Sequence, residues 1–133
     1  MSAGLTALMW FTLADIVEPR QDGAAAWGLL TDAFQPKPSY RAFSTLTREL
    51  DGLRYSGKAP VRGQMEGYVF AGDGRQTTLV WMKTGAGQFA VRAQQATVAA
   101  LDGSATIVLD GGPGDADRRA DGVVTVVVTQ DPV

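Results

Sequence analysis

The spacing of apolar positions changes once along the chain. Leu5 to Ala14 is a nearly unbroken apolar run, Leu-Thr-Ala-Leu-Met-Trp-Phe-Thr-Leu-Ala. It is too short and too evenly apolar for an amphipathic helix and is rich in Leu, Trp, Phe and Thr, so it predicts a strand buried on both faces. Glu18 to Ala26 reads as a loop broken by Pro19, Asp22 and Gly23, and Trp27-Gly28-Leu29-Leu30-Thr31-Asp32 follows. Tyr40, Phe43, Leu46, Thr47 and Leu50 then recur at helical spacing and form one apolar stripe, with Arg41, Thr45, Arg48 and Glu49 on the other face. A helix over 39–51 is expected. Pro36 and Pro38 fix its start, with Ser39 as N-cap or Pro38 in the first turn, and Asp51-Gly52 ends it.

Beyond a connector from Leu53 to Gly63, marked by Ser56, Gly57, Pro60 and Gly63, the period becomes two. Met65–Ala71 and Thr77–Lys83 read as strands around the turn Gly72-Asp73-Gly74, with Leu79 and Trp81 on one face and Val80 and Met82 on the other. Thr84–Gly87 is a turn and Phe89–Ala93 a strand. Ala96–Leu101 and Ala105–Leu109 flank Asp102-Gly103, a strong hairpin signal. A Gly- and Asp-rich loop over 110–121 leads into Val123–Val128. Six short strands with turn signals argue an antiparallel sandwich. The expected fold class is mainly β: an antiparallel β-sandwich preceded by one strand–loop–helix unit. The expected division is a strand–helix unit over 1–53, a linker over 54–63 and a β-sandwich domain over 64–133.

Composition narrows the chemistry. The 133 residues hold 45% hydrophobic side chains, enough for a core. Sixteen Gly and six Pro suit many turns. Net charge is −2, and Arg118-Arg119 is flanked by Asp115, Asp117 and Asp121, so a nucleic-acid partner is not expected. With no Cys there is no disulfide framework or thiolate nucleophile, and with no His the commonest acid/base and metal ligand is missing. Catalysis would have to rest on carboxylates, Tyr, Lys or Ser. No cofactor and no metal are expected. The apolar run 5–14 is too short to span a membrane, and as a signal-peptide core it lacks a preceding Lys or Arg and meets Asp15 and Glu18 at once. A soluble chain is expected, and no compartment is assigned.

The order of these signals resembles a known family. An apolar strand with Trp10-Phe11, then a loop, Gly28-Leu29-Leu30, and Pro36-Lys37-Pro38-Ser39-Tyr40-Arg41-Ala42-Phe43 resembles the C-terminal end of clan A retaining glycoside hydrolases, which are TIM barrels. There, barrel strand eight carries a Trp-aromatic pair, a P-K-P phrase leads into helix eight, and a small β-sandwich often follows. Leu101-Asp102-Gly103 and the ending Asp131-Pro132-Val133 look like turns and a last strand of that sandwich. The resemblance implies that 1–53 is the strand 8/helix 8 unit of a (β/α)8 barrel. It implies that carbohydrate is the ligand of the parent enzyme, and that the missing barrel domain is a partner of this chain.

The family's chemistry needs two Glu residues from barrel strands four and seven, one as acid and one as nucleophile about 5 Å apart. The sequence that would carry strands one to seven is absent, so no catalytic residue is carried over and the chain alone is expected to be inactive. Only Trp10 transfers, as the floor of the subsite holding the cleaved sugar, where an indole face packs on the C–H face of a pyranose.

Each signal has a plainer alternative. Trp10 in an apolar run is by default a core residue. Asp15 and Glu18 invite a catalytic-pair reading, but nothing in the sequence fixes their separation, and a solvated loop is expected. Trp27 suits a loop anchor better than a cleft mouth. Tyr68, Phe70, Trp81 and Phe89 suit a sandwich interior better than a binding face. Asp110, Asp115, Asp117 and Asp121 lack the order of a Ca²⁺ loop and predict a solvated loop. The functional alternatives are a non-catalytic carbohydrate-binding module and a structural sandwich. A strand at 5–14 without its neighbours would leave open edges, so self-association is expected.

Overall fold

A computed structural model describes residues 12–15 and 27–130. Within them lie one helix, α1 (Pro38–Leu50), and seven strands: β1 (Arg54–Lys58), β2 (Met65–Gly72), β3 (Arg75–Met82), β4 (Ala86–Arg92), β5 (Gln95–Ala99), β6 (Ala105–Leu109) and β7 (Val123–Thr129). The chain is mainly β, as expected, and every strand pairing is antiparallel. The sheets are β1-β2-β3, β4-β7 and β5-β6, with β3 lying against both β4 and β7. The strand expected over 5–14 falls outside the described residues apart from its end, where Ala14 forms a parallel bridge with Leu30.

The turn residues set the hairpins. Gly72 pairs with Arg75, leaving Asp73 and Gly74 as a two-residue loop with φ of 49° and 73°. Positive φ at both central positions gives the turn whose twist matches the strands it joins. At Asp102-Gly103 the Asp102 carboxylate accepts from the Ser104 N–H and hydroxyl at 2.8 and 2.6 Å. The sandwich core gathers one face of each hairpin. Met65, Gly67, Val108 and the fully buried Val124 lie there, with Ala59 beside Gly67. A side chain at Gly67 would meet the Leu79 carbonyl at 2.8 Å, so the close approach of β3 requires glycine.

Three elements depart from expectation: β4 begins at Ala86, within the turn expected over Thr84–Gly87, and β1 and the helix differ as follows. The connector after the helix contains β1, which pairs with β2 through a register shift between Tyr55 and Gly57. Ser56-Gly57 reads as a breaker in sequence because a bulge needs such residues without ending the strand. Residues 54–58 are therefore a strand paired with β2, where an irregular connector was expected.

Helix α1 starts one residue before its expected position, with Pro38 in the first turn and Lys37 as N-cap without a side-chain bond. Its buried residue is Thr45, expected on the polar face. Thr45 reaches the turn at Gly103, the Glu49 carbonyl accepts from the Thr77 hydroxyl at 3.2 Å, and the Asp51 carbonyl accepts from Arg75 at 2.8 Å. The helix is clamped to the sandwich by this polar side, while Tyr40 and Leu46 of the apolar stripe remain exposed.

Candidate functional site

Trp10, the one residue expected to touch a sugar, and Glu18 lie outside the described residues. Residues 12–15, which close the apolar run in sequence, are described. Past the end of the apolar run, the Asp15 N–H donates to the Leu30 carbonyl at 3.0 Å and the Leu30 N–H to the Leu13 carbonyl at 2.9 Å. Leu30 also bridges Pro36, and the Lys37 N–H donates to the Leu29 carbonyl at 3.0 Å. The Lys37 ammonium then sits between three acceptors: Asp15 Oδ2 at 2.8 Å, Asp15 Oδ1 at 2.9 Å and the Gly28 carbonyl at 3.0 Å. The Gly28 N–H donates to Asp15 Oδ1 at 2.8 Å. A Cβ at Gly28 would lie 2.5 Å from the Asp15 nitrogen, so only glycine fits.

Asp15 is thus a half-buried ion-pair partner, and the expected solvated loop is corrected there. The side-chain hydrogen bond from Lys37 holds its carboxyl below the ordinary range, against partial desolvation and with help from the Gly28 N–H. A carboxyl in this state stays ionised at neutral pH and has no proton to donate as a general acid. Its oxygens also take the Lys37 ammonium and the Gly28 N–H, contacts that lower their nucleophilicity. Asp15 and the Pro-Lys-Pro phrase each stand out in the sequence, but no local period links positions 22 residues apart.

A second polar cluster lies in the loop over 110–122. Asp115 is 1% exposed, so the expected solvated loop is corrected here too. Its Oδ2 accepts from the Gly111 N–H at 2.8 Å and its Oδ1 from the Thr125 N–H at 3.0 Å, while the Ala116 N–H donates to the Thr125 carbonyl at 2.7 Å. The loop thereby covers the edge of β7. The bond from Gly111 leads those that hold the Asp115 carboxyl below its usual range against desolvation. Asp110 accepts from the Asp121 and Gly122 N–H groups at 3.2 and 2.8 Å, and Asp121 from the Val123 N–H at 3.1 Å. These carboxylates are spent on backbone donors. Among the described residues no group of His, Cys, Asp and Glu is arranged to hold a metal ion.

The aromatic residues divide between two places. Tyr68, Phe70 and Trp81 share one face of the β1-β2-β3 sheet with Tyr55, and Trp81 is 39% exposed, so this face is not the expected interior. Phe89 instead lines a cleft of about 520 Å³ with Met65, Met82, Arg62 and Gln64. Trp27 is 65% exposed. No helix among the described residues is long and apolar enough to cross a membrane.

No family model and no curated protein matches the sequence. Among solved structures, the chain is similar to part of a family 39 glycoside hydrolase from the gut symbiont Bacteroides cellulosilyticus WH2, with 19% identity and a TM-score of 0.43 over 81% of this chain. It spans 22% of that chain, about a fifth of its length. At that identity and superposition, the likeness assigns neither activity nor substrate to this chain.

Proposed function

We propose that this chain is the C-terminal portion of a glycoside hydrolase that cleaves O-glycosidic bonds with retention. Residues 1–53 are the terminal strand–loop–helix unit of its barrel. The rest, from Arg54 onward, is an accessory β-sandwich. The catalytic carboxyl pair belongs to the missing barrel, which is this chain's first partner, and Trp10 supplies one aromatic wall of the sugar subsite.

The observation that supports this most is the lock formed by Asp15, Gly28 and Lys37. These three residues belong to the strand end, the Gly-Leu-Leu phrase and the Pro-Lys-Pro phrase that carry the family resemblance. They bond to one another within 3.0 Å, and the glycine has no room for a side chain. The spacing of the phrases therefore has a physical cause: they tie the end of the apolar strand to the start of the helix. A strand end held this way would present Trp10 at a fixed place on a rigid element, as a sugar platform needs. In the parent, one carboxylic acid would protonate the leaving oxygen, and a carboxylate about 5 Å away would attack the anomeric carbon. Asp15, ionised and bonded to Lys37 and Gly28, takes neither role. The coding sequence upstream of Met1 tests the proposal. A barrel with two Glu residues at strand ends is expected there, and an unrelated upstream neighbour would overturn it.

A further inference from the structure

The outer edge of β4 is open. At the two ends of the β4–β7 ladder, the Gln130 N–H donates to the Gly85 carbonyl at 2.8 Å and the Ala93 N–H to the Gly122 carbonyl at 3.1 Å. The register is unbroken between them, so the odd-numbered residues from Gly85 to Ala93 face β7. The N–H and C=O groups of Ala86, Gln88 and Ala90 turn the other way, and no partner for them lies among the described residues. All three residues are exposed. From Ala86 to Val91 the strand has no proline, charge or bulge, the devices that keep an edge from pairing.

This edge forms one wall of the cleft of about 520 Å³. Met82 and Met65 reach over Gly87, where a Cβ would meet their Sδ and Cε atoms at 3.0 and 3.1 Å, and Phe89 completes the apolar floor. Among the described residues, Arg62 is the one charged group in the lining, and its exposed guanidinium makes no hydrogen bond or ion pair there. Nearby, Lys83 is paired with Glu66. Arg92, beyond the cleft, lies opposite Val123, two residues from Asp121.

Three features select the occupant. Outward N–H and C=O groups along a strand are matched by the backbone of a second extended chain, which adds to the edge. The thioethers and ring accept apolar side chains from alternate residues of that chain. A guanidinium with no carboxylate in the lining calls for an acidic occupant. A second copy paired through β4 does not supply one, since Ala86-Gly87-Gln88-Phe89-Ala90-Val91-Arg92 holds no carboxylate.

We propose that β4 binds an extended acidic peptide segment of a partner protein by strand addition. Its apolar residues lie against Met65, Met82 and Phe89, and a carboxylate pairs with Arg62. The surface involves no residue of 1–53 and stands whether or not the chain belongs to a hydrolase.

Nuclear magnetic resonance titration of the nitrogen-15-labelled chain with the blocked heptapeptide Glu-Val-Glu-Val-Glu-Val-Glu tests it, with the same peptide carrying Lys for Glu as the cationic comparison. The amide signals of Ala86, Gln88 and Ala90 should shift with the acidic peptide, and the lysine peptide should bind at least about tenfold more weakly. Methylating every second peptide nitrogen should abolish binding in one of the two phases and spare it in the other, because only one set faces the edge. Gln88→Pro removes an outward N–H and no ladder bond, so it should block the peptide at unchanged circular dichroism. Arg62→Gln should weaken binding about threefold. No shift with the acidic peptide, equal binding of the lysine peptide, equal binding of both methylated forms, or indifference to Arg62→Gln would overturn the proposal. So would a mass that rises with concentration until Gln88→Pro abolishes the rise while no peptide binds, which would put a second copy on the edge. An upstream-extended chain whose β4 takes no peptide would put a segment of the parent there, and would also overturn it.

Discussion

Gly28 and Asp115 show what single residues do here. Gly28 admits the Asp15 backbone to within 2.5 Å of where a Cβ would stand. Gly28→Ala should therefore force the Ala14–Asp15 backbone away from the segment that leads into the helix, costing about 1–3 kcal/mol in urea unfolding. Asp115 ties Gly111 and Thr125 together, and Asp115→Asn would turn an amide N–H toward one of those donors. The expected outcome is a lower Tm by thermal circular dichroism, with the loop over 110–122 exchanging its amide protons faster. Both Asp15 and Asp115 titrate below their ordinary value of 3.8 in the folded chain. Their stabilisation is then fully present above the unfolded value and is lost as pH falls through the lower folded values. An acid titration of Tm should be flat with respect to these groups above about pH 5 and fall below about pH 4, and Asp115→Asn should flatten part of that fall. Neither role could be read from sequence. A buried carboxylate bound to backbone N–H groups looks the same there as a solvated one, and only the folded loop brings Thr125 to Asp115.

The elements were more legible. Period-two spacing marked β2 and β3, the run of β-branched residues marked β7, and Asp102-Gly103 marked the β5–β6 hairpin, because a strand and a tight turn each leave a local signature. β1 left none: its bulge at Gly57 carries the residues of a loop. The helix was legible in extent but not in orientation. Its apolar stripe runs through Tyr40, Phe43 and Leu46, yet the sandwich takes Thr45 and the Glu49 carbonyl. Burial on the sandwich should then rank substitutions. Val124→Ala, at a position with 0% exposure, should cost about 2 kcal/mol, whereas Leu46→Gln, at 37%, should cost about 0.5 kcal/mol or less in the same chain. Chemical denaturation of both variants checks this, and a reversed ranking would place the stripe in the core.

At the scale of the whole molecule, two sheet edges are managed and much apolar surface is not. The bulge and the flanking Arg54 and Lys58 blunt β1, and the Asp115 loop covers β7. Leu13, Phe34, Ile107, Leu109 and Val127 are each more than half exposed. Scattered single residues are ordinary, and the proposed parent would cover such side chains with further protein. Light scattering of the isolated chain should show mass rising with concentration, and a constant monomer mass at high concentration would count against it. The proposed place of the chain within a hydrolase makes the sharpest claim, because it divides one activity between two parts of a protein. The direct measurement is turnover of a panel of aryl glycosides by the isolated chain, by the chain extended upstream through the barrel, and by the extended protein carrying Trp10→Ala. The account predicts no turnover by the isolated chain, turnover by the extended protein, and a lower kcat/KM with Trp10→Ala. Turnover by the isolated chain that disappears in Asp15→Asn, or an extended protein inert on every glycoside, would contradict it.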